Sequence, residues 1–407
     1  MVNLAPFKFF YKMTADIIIG ANYGDEGKGT VVATCAKHNC AKNRLNVLTN
    51  GGAQRAHSIV TEDGSFTFQH FGSGTYHGAD SYFSEYFILN PMQFVKEYME
   101  LSDKGAKYNK YRNIGHNWFI FRNINCRWST PFDMMANAVI EKLRDDNKHG
   151  SCGMGIWETT LRYKNTPYTK TFDDFISLPY DERINYLTSI KHYFEKERIG
   201  TEIPAEWKFV WNNVNLIEHF IQDCEYMHKH TVCVNNLNDI LKDAILDLKH
   251  CHQYSNIIFE NGQGLLLSDT GKDIAGTTPS LTGCDYAKAI IENSGIDMDV
   301  NLHYVTRPYL TRHGRGHLYN ESDKTIISGY INEDRTNHYN EFQESFRYGN
   351  MTAEVMGRMH DYIMKDASKM EKANVILDVT HCDEVDKVSD FKKLFKTINT
   401  YESPLIK

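Results

Sequence analysis

Apolar residues along this chain fall into short unbroken runs that end in glycine or in polar turns. Asp16-Ile17-Ile18-Ile19-Gly20 is one such run. It is too short for a helix and apolar after its first residue, so it reads as a strand buried on both faces. A glycine-rich turn follows, and residues 29–38 take up helical spacing. Residues 46–49 before Asn50-Gly51-Gly52, residues 257–260 before Asn261-Gly262-Gln263-Gly264, and residues 375–378 repeat the strand pattern. Strand, glycine-rich loop and helix in this order predict an α/β fold, a largely parallel central sheet flanked by helices. Such sheets hold ligands at the C-terminal ends of their strands, which makes these loops the first place to look for chemistry. Residues 173–249 are rich in aromatic and charged side chains and poor in glycine, and predict a helical insertion. Residues 1–14 read as an N-terminal extension. No repeat or Pro/Ser-rich linker divides the chain, so residues 1–407 read as a single elaborated domain.

Composition narrows the function. Lys plus Arg number 45 against 52 Asp plus Glu, a net charge of −7. That excludes a broad nucleic-acid surface, which needs a basic excess, but leaves room for a local basic pocket around a nucleotide phosphate. No apolar run approaches the roughly 18 residues of a membrane span, and the first residues lack the apolar core of a signal peptide. Nine cysteines, an odd number without a CxxC pair, read as reduced thiols and a cytoplasmic location, host cytoplasm if the gene is carried by a phage. Cys224, Cys233 and Cys251 lie near His228, His230, His250 and His252. Their spacing fits no compact zinc motif, and they read as solvated helix residues.

The central signal is Gly24-Asp25-Glu26-Gly27-Lys28-Gly29-Thr30. Glycines let backbone N–H groups point at phosphate oxygens, and the helix that follows adds its positive end. Lys28 can neutralise phosphate charge. A Walker A loop would need Gly-Lys followed by Ser or Thr, and here Lys28 is followed by Gly29. A tight turn with a surface lysine would look similar in composition. Asp25 tips the balance towards catalysis, because a carboxylate in a phosphate loop is repulsive unless it binds a metal or takes a proton.

At this point the sequence resembles the adenylosuccinate synthetases. Gly20-Ala21-Asn22-Tyr23-Gly24-Asp25-Glu26-Gly27-Lys28-Gly29 is similar to their signature G-x-Q-W-G-D-E-G-K-G, and Gly51-Gly52-Ala53-Gln54-Arg55-Ala56-His57-Ser58 to G-G-x-N-A-G-H-T. The resemblance implies catalytic roles for Asp25, Lys28 and His57, and nucleoside-triphosphate binding by Gly24, Glu26, Gly27, Lys28, Gly29 and Thr30. It implies Mg²⁺ held by Asp25 and by the carbonyl of Ala56, which replaces a family glycine. Phe259-Glu260-Asn261-Gly262-Gln263-Gly264 resembles F-E-G-A-Q-G, with Thr278 fifteen residues beyond Gln263, as in the family. Ser151-Cys152-Gly153-Met154-Gly155-Ile156 resembles T-T-G-R-G-I more weakly. Gln54, Cys152, Gln263 and Thr278 are thereby expected to bind the purine monophosphate, with Arg162 reaching across a homodimer to complete that site. Thr311-Arg312-His313-Gly314-Arg315-Gly316 resembles T-R-V-G-A-G, and Asp378 falls on the aspartate that recognises guanine in GTP.

The departures concern specificity. Where the family has T-T-G-R-R-R-R-T-G-W, the segment 340–349 keeps one guanidinium, Arg347. A dicarboxylate wants paired arginines, so Arg312 and Arg315 are expected to share the task. Ile376 replaces a family lysine, and the C-terminal S-T-G-P-x-R segment is absent. Both changes touch the guanine pocket and admit ATP or dATP beside GTP. They also resemble a short branch with phage enzymes that take dGMP in place of IMP, although retention of Asp25 leans back towards IMP. The expected reaction joins L-aspartate to C6 of the purine through a 6-phosphoryl intermediate. Two rivals are a nucleotide sensor, which has no need of both Asp25 and His57, and a plain NTPase, which predicts the missing Walker sequence.

Overall fold

The computed structural model describes residues 13–38, 44–61, 64–108, 119–145, 148–200, 203–242, 254–269, 276–332 and 343–403. Its centre is β1 (Met13–Gly20), flanked by β8 (Asn256–Gly264) and β9 (Met298–Thr306). Beyond β8 lie β2 (Arg44–Leu48), β5 (Asp80–Phe83), β6 (Ile120–Asn123) and β7 (Val232–Val234); beyond β9 lie β12 (Asn374–Val379) and β13 (Ile398–Thr400). All eight neighbouring pairs in this nine-stranded sheet are parallel. An all-parallel sheet is covered on both faces, which is why β1 and β8 carry the apolar runs Ile17–Ile19 and Ile257–Phe259, while β9 interleaves Asn301 and His303 with its apolar residues. Two hairpins stand apart from it, β3 (His57–Thr61) with β4 (Gly64–Phe68), and β10 (Leu310–Arg312) with β11 (Arg347–Gly349).

Alternation along the strands assigns the faces. Ile17 and Ile19 join Val47, Phe259, Leu302, Tyr304 and Leu377 in one core. Ile18, Ile258 and Val305 point the other way, onto Val31, Val32 and Ala36 of α1 (Lys28–His38). An aromatic core built on Phe68, Phe83, Phe94 and Trp128 ties the sheet's other wing to the helices. These include α2 (Pro91–Tyr108), α3 (Pro131–Leu143), α4 (Ile156–Asn165), α5 (Phe172–Ile176), α6 (Tyr180–Tyr193), α7 (Ala205–Trp211) and α8 (Leu216–Lys229). The segment read as a helical insertion is helical through α8, apart from its loops, and includes a π-helical turn at Phe194–Ile199; it then supplies β7, the sheet's edge strand. Residues 243–249 of that segment, and residues 1–12 of the N-terminal extension, lie outside the described residues.

Register brings the functional loops together. Ile18 pairs with Glu260 but Gly20 with Gly264, so β8 gains residues on β1 at its end. Gln263 takes up this irregularity with a left-handed φ of 66°, a backbone region that non-glycine residues rarely enter. Among the described residues no helix is long and apolar enough to cross a membrane, and the seven described cysteines carry no disulfide.

Candidate active site

A cavity of about 580 Å³ opens at the C-terminal ends of the strands. The phosphate loop forms one wall. Its turn needs left-handed backbone at Gly24 (φ 92°), Asp25 (φ 59°) and Gly27 (φ 89°). Glycine adopts that conformation freely, whereas Asp25 bears a strain that non-glycine residues show mainly where function demands it. Glu26 turns inward. Its buried carboxylate accepts from Asn22 N at 3.0 Å and Gly24 N at 2.8 Å and pairs with Lys28 Nζ at 3.0 Å. It therefore holds the loop together from within, a different place from the expected contact with the triphosphate. Thr380, just after β12, donates to Glu26 O at 2.6 Å and fixes the loop's outer side. Asp25, Gly24, Gly27, Lys28, Gly29 and Thr30 all line the cavity. Among the described residues no group donates a hydrogen bond to the Asp25 carboxylate.

Opposite the loop, His57 Nδ1 lies 2.6 Å from Glu260 Oε1. Glu260 is fully buried and also accepts from Ser73 N at 2.9 Å and Ser73 Oγ at 2.8 Å. Burial pushes this carboxyl's pKa up, but the hydrogen bond and charge of His57, aided by Arg55 and Ser73, outweigh it and hold it at about 2. Burial also lowers the pKa of His57, with Lys28 and Arg55 acting in the same direction against Glu260. The resting imidazole is accordingly neutral, with its Nδ1–H on Glu260 and its Nε2 lone pair left for a ligand. Glu260 lies in the Phe259–Gly264 motif, in which the resemblance assigns it no role. The signal was available: an acid at the end of the buried apolar run of β8.

Further polar side chains line the rest of the cavity. Both amide atoms of Gln54 are buried without a partner, a donor and an acceptor side by side in the lining. Gly51 makes room for them, since a Cβ there would lie 2.5 Å from Gln54 Nε2. Cys152, Gln263, Thr278 and Ala56 line the same space. Burial raises the Cys152 thiol to about 11, which makes it a neutral contact and no nucleophile. Arg307, unremarked in the sequence, also lines the cavity and donates through Nε to Asp25 O at 2.9 Å, fixing the strained turn.

Five expected ligand contacts are placed elsewhere. Arg162 is fully buried; it pairs in bidentate fashion with Asp133 at 3.0 and 3.2 Å and donates to the carbonyls of Tyr168 and Trp128, both at 2.8 Å. It knits α3 to α4 with its guanidinium nitrogens engaged inside its own chain. Asp378 is fully buried, its oxygens engaged by His303 Nδ1 at 2.8 Å, Asn399 Nδ2 at 2.9 Å and Tyr401 OH at 2.8 Å. Arg312 donates to the carbonyls of His317 at 2.7 Å and Gly276 at 3.2 Å. Arg315 pairs with Glu344 at 3.0 Å, and Arg347 with Glu321 and with the carbonyls of Gly314 and Gly316. None of the five lines the cavity. Of the dismissed zinc group, Cys224 is buried and His230 Nδ1 donates to Tyr226 O at 2.7 Å, while Cys251, His250 and His252 fall outside the described residues.

The family model of adenylosuccinate synthetase matches residues 17–395. The chain belongs to this family. Its curated relatives include the adenylosuccinate synthetases of Buchnera aphidicola subsp. Baizongia pistaciae, 25% identical over 74% of this chain, and of Francisella philomiragia, 25% identical over 75%. The matches span only 63% and 64% of those two proteins' lengths. Among solved structures, fully ligated adenylosuccinate synthetase from Plasmodium falciparum superposes with a TM-score of 0.62 at 16% identity, covering 90% of this chain and 77% of that one. Cyanophage S-2L succinoaminodeoxyadenylate synthetase, bound to dGMP and to dATP as energy donor, gives 0.57 at 12% identity, covering 96% and 91%. Both share the fold of the family.

Proposed function

We propose that the chain is a nucleoside-triphosphate-dependent ligase that couples L-aspartate to C6 of a 6-oxopurine nucleotide, converting IMP to adenylosuccinate through a 6-phosphoryl intermediate. What carries this reading is the convergence on one cavity of a phosphate loop, a carboxylate to which none of the described residues donates, a Glu-oriented imidazole and an unpartnered amide. Neither a sensor nor a simple NTPase needs that set.

The purine 6-oxygen is a poor leaving group, and phosphorylation cures that. Asp25 takes the N1 proton, so that charge builds on O6. O6 then attacks the γ-phosphorus; the O6–P bond forms, the bond to the β-phosphate oxygen breaks, and the nucleoside diphosphate departs. Lys28 and the loop amides stabilise the phosphoryl group in flight, a task of electrostatic positioning. Its negative charge, with Glu260 behind the ring, favours protonation of His57 at Nε2, from which the imidazole donates to that group. The amino group of aspartate next adds at C6, the C6–O bond breaks, phosphate leaves, and the nitrogen gives up one proton to solvent. Mg²⁺, when bound, neutralises the triphosphate oxygens. The open carboxylate of Asp25 and the carbonyl of Ala56 are hard oxygen donors that suit it. Because Arg312, Arg315 and Arg347 are engaged elsewhere, the aspartate carboxylates are assigned to the side lined by Arg144, Arg307 and His313.

A second reading takes dGMP as acceptor and ATP or dATP as donor. The engaged state of Asp378 favours it, since no free carboxylate is left there to read guanine in a donor. The test is one assay: enzyme, aspartate and Mg²⁺ with ATP or GTP, and IMP, dIMP, GMP or dGMP in separate tubes, with products identified by mass. A succino-purine nucleotide is expected, with one acceptor clearly preferred. A mismatched 2-position leaves buried polar groups unpaired, at a cost of about 1–3 kcal/mol each. No product in any tube, with aspartate or any other amino acid, would return the chain to the sensor class. Assembly as a homodimer belongs to the same proposal and is checked by light scattering.

A further inference from the structure

The buried sheet carries polar residues in its middle, on the face covered by α1. Asp16 of β1 accepts from Asn256 Nδ2 on one neighbouring strand and Asn301 Nδ2 on the other, both at 2.8 Å. His303 of β9 bonds through Nδ1 to Asp378 at 2.8 Å, which leaves its Nε2 facing Asp16 Oδ1 at 3.5 Å. Above them, from the second turn of α1, comes the half-buried thiol of Cys35. The ligand atoms of Asp16, Cys35 and His303 all lie within 4.8 Å of one another. We propose that these three side chains form a binding site for a thiophilic divalent metal of the Zn²⁺ class, separate from the Mg²⁺ used with the triphosphate.

The chemistry of the set favours that class. One sulfur, one imidazole nitrogen and one carboxylate oxygen are zinc ligands, whereas Mg²⁺ prefers oxygen alone. In a tetrahedral site with bonds of about 2.0 to 2.1 Å, the N···O edge is roughly 3.4 Å. The observed 3.5 Å between Nε2 and Oδ1 matches that edge and is longer than the 2.8 Å of the neighbouring His303–Asp378 hydrogen bond. The sulfur lies within 4.8 Å of both other ligand atoms and needs to close in by no more than about 1.3 Å to reach its own edge of roughly 3.5 Å, a shift a cysteine side chain can make. The outer shell is already built. Asp378 fixes the tautomer and direction of His303, while Asn256 and Asn301 orient Asp16, the supports that metal-binding imidazoles and carboxylates usually have. The metal would replace the protons on Cys35 Sγ and His303 Nε2, which pass to solvent, and a water would fill the fourth position. Its effect would be to pin α1, the helix that starts at the phosphate loop, onto β1 and β9. The inference does not depend on the ligase reading.

The full chain is stripped with chelator, loaded with Co²⁺ or Zn²⁺ alone, and desalted. One tightly held metal per chain and a thiolate-to-cobalt charge-transfer band are expected. Cys35→Ser should lose both, and Cys382→Ser should keep both. As a measurement that needs no variant, Zn²⁺ should slow alkylation of Cys35 in the wild-type protein by about tenfold or more, because coordination ties up the thiolate. Absence of uptake by the wild type, equal uptake by Cys35→Ser, or alkylation of Cys35 unaffected by Zn²⁺ would each overturn the site.

Discussion

At the scale of single residues the site rests on two carboxylates in opposite situations. The Asp25 carboxylate, to which no group donates among the described residues, sits in a strained turn open to the cavity, whereas Glu260 is buried and surrounded by donors. Asp25→Asn keeps the loop's shape and removes the base, so kcat should fall by about 10²- to 10⁴-fold while triphosphate binding changes little. Steady-state kinetics with isothermal titration checks this, and activity within about tenfold of wild type would remove the role. Glu260 gives a prediction in pH. Its folded pKa, at about 2, lies below its ordinary value. It therefore contributes stability that is present above about pH 4.3 and fades as pH falls through about 2. Glu260→Gln should lower stability at neutral pH, because the buried hydrogen bonds from His57 and Ser73 lose their charged acceptor, and show a shallower acid limb in urea titrations. Parallel limbs for the two proteins would contradict an ionised Glu260. Asp25, Lys28 and His57 were legible in the sequence because their motifs are local. Glu260 was not, since its role depends on a contact with a residue 203 positions away.

At the scale of elements, β1, β2, β8 and β12 were legible because each carries apolar residues leading into a polar or glycine-rich loop, whereas β9, beside β1, interleaves Asp299, Asn301 and His303 with its apolar residues and gave no such run. The edge strand β7 has three residues inside a mostly helical stretch, and no periodicity could mark it. Arg162 was misread for a related reason, since a charged residue on a helix carries no sign of which way it points. In the fold it closes the α3–α4 contact through Asp133, which also caps α3 as the partner of Thr130 in a capping box. Arg162→Ala leaves a buried carboxylate unpaired and should destabilise the protein by about 3–5 kcal/mol. Chemical denaturation measures this. A folded, equally stable variant whose only defect is a raised KM for the purine nucleotide would restore the binding role instead.

At the scale of the whole molecule, a family fold is carried on a chain whose matches reach less than two thirds of its curated relatives' length. To read guanine, a carboxylate must accept from N1–H and the 2-amino group together. Asp378 has its lone pairs on His303, Asn399 and Tyr401, the last two supplied by β13 and the residue that follows it. Asn399 and Tyr401 thus occupy, with donors of their own, the carboxylate to which the resemblance assigns the reading of guanine. Adenine presents no N1–H and loses nothing by this. Steady-state assays should therefore give ATP or dATP a kcat/KM at least equal to that of GTP. Asp378→Asn should lower thermal stability, because it unpairs a buried network at about 1–3 kcal/mol per unsatisfied group, without moving the ATP-to-GTP ratio. A GTP preference of about a hundredfold that Asp378→Asn abolishes would mean that guanine displaces Tyr401 and Asn399 on binding. Discrimination of that size is what a site built to hydrogen-bond a base delivers, and the side chains around Asp378 would then be a closed state of that site.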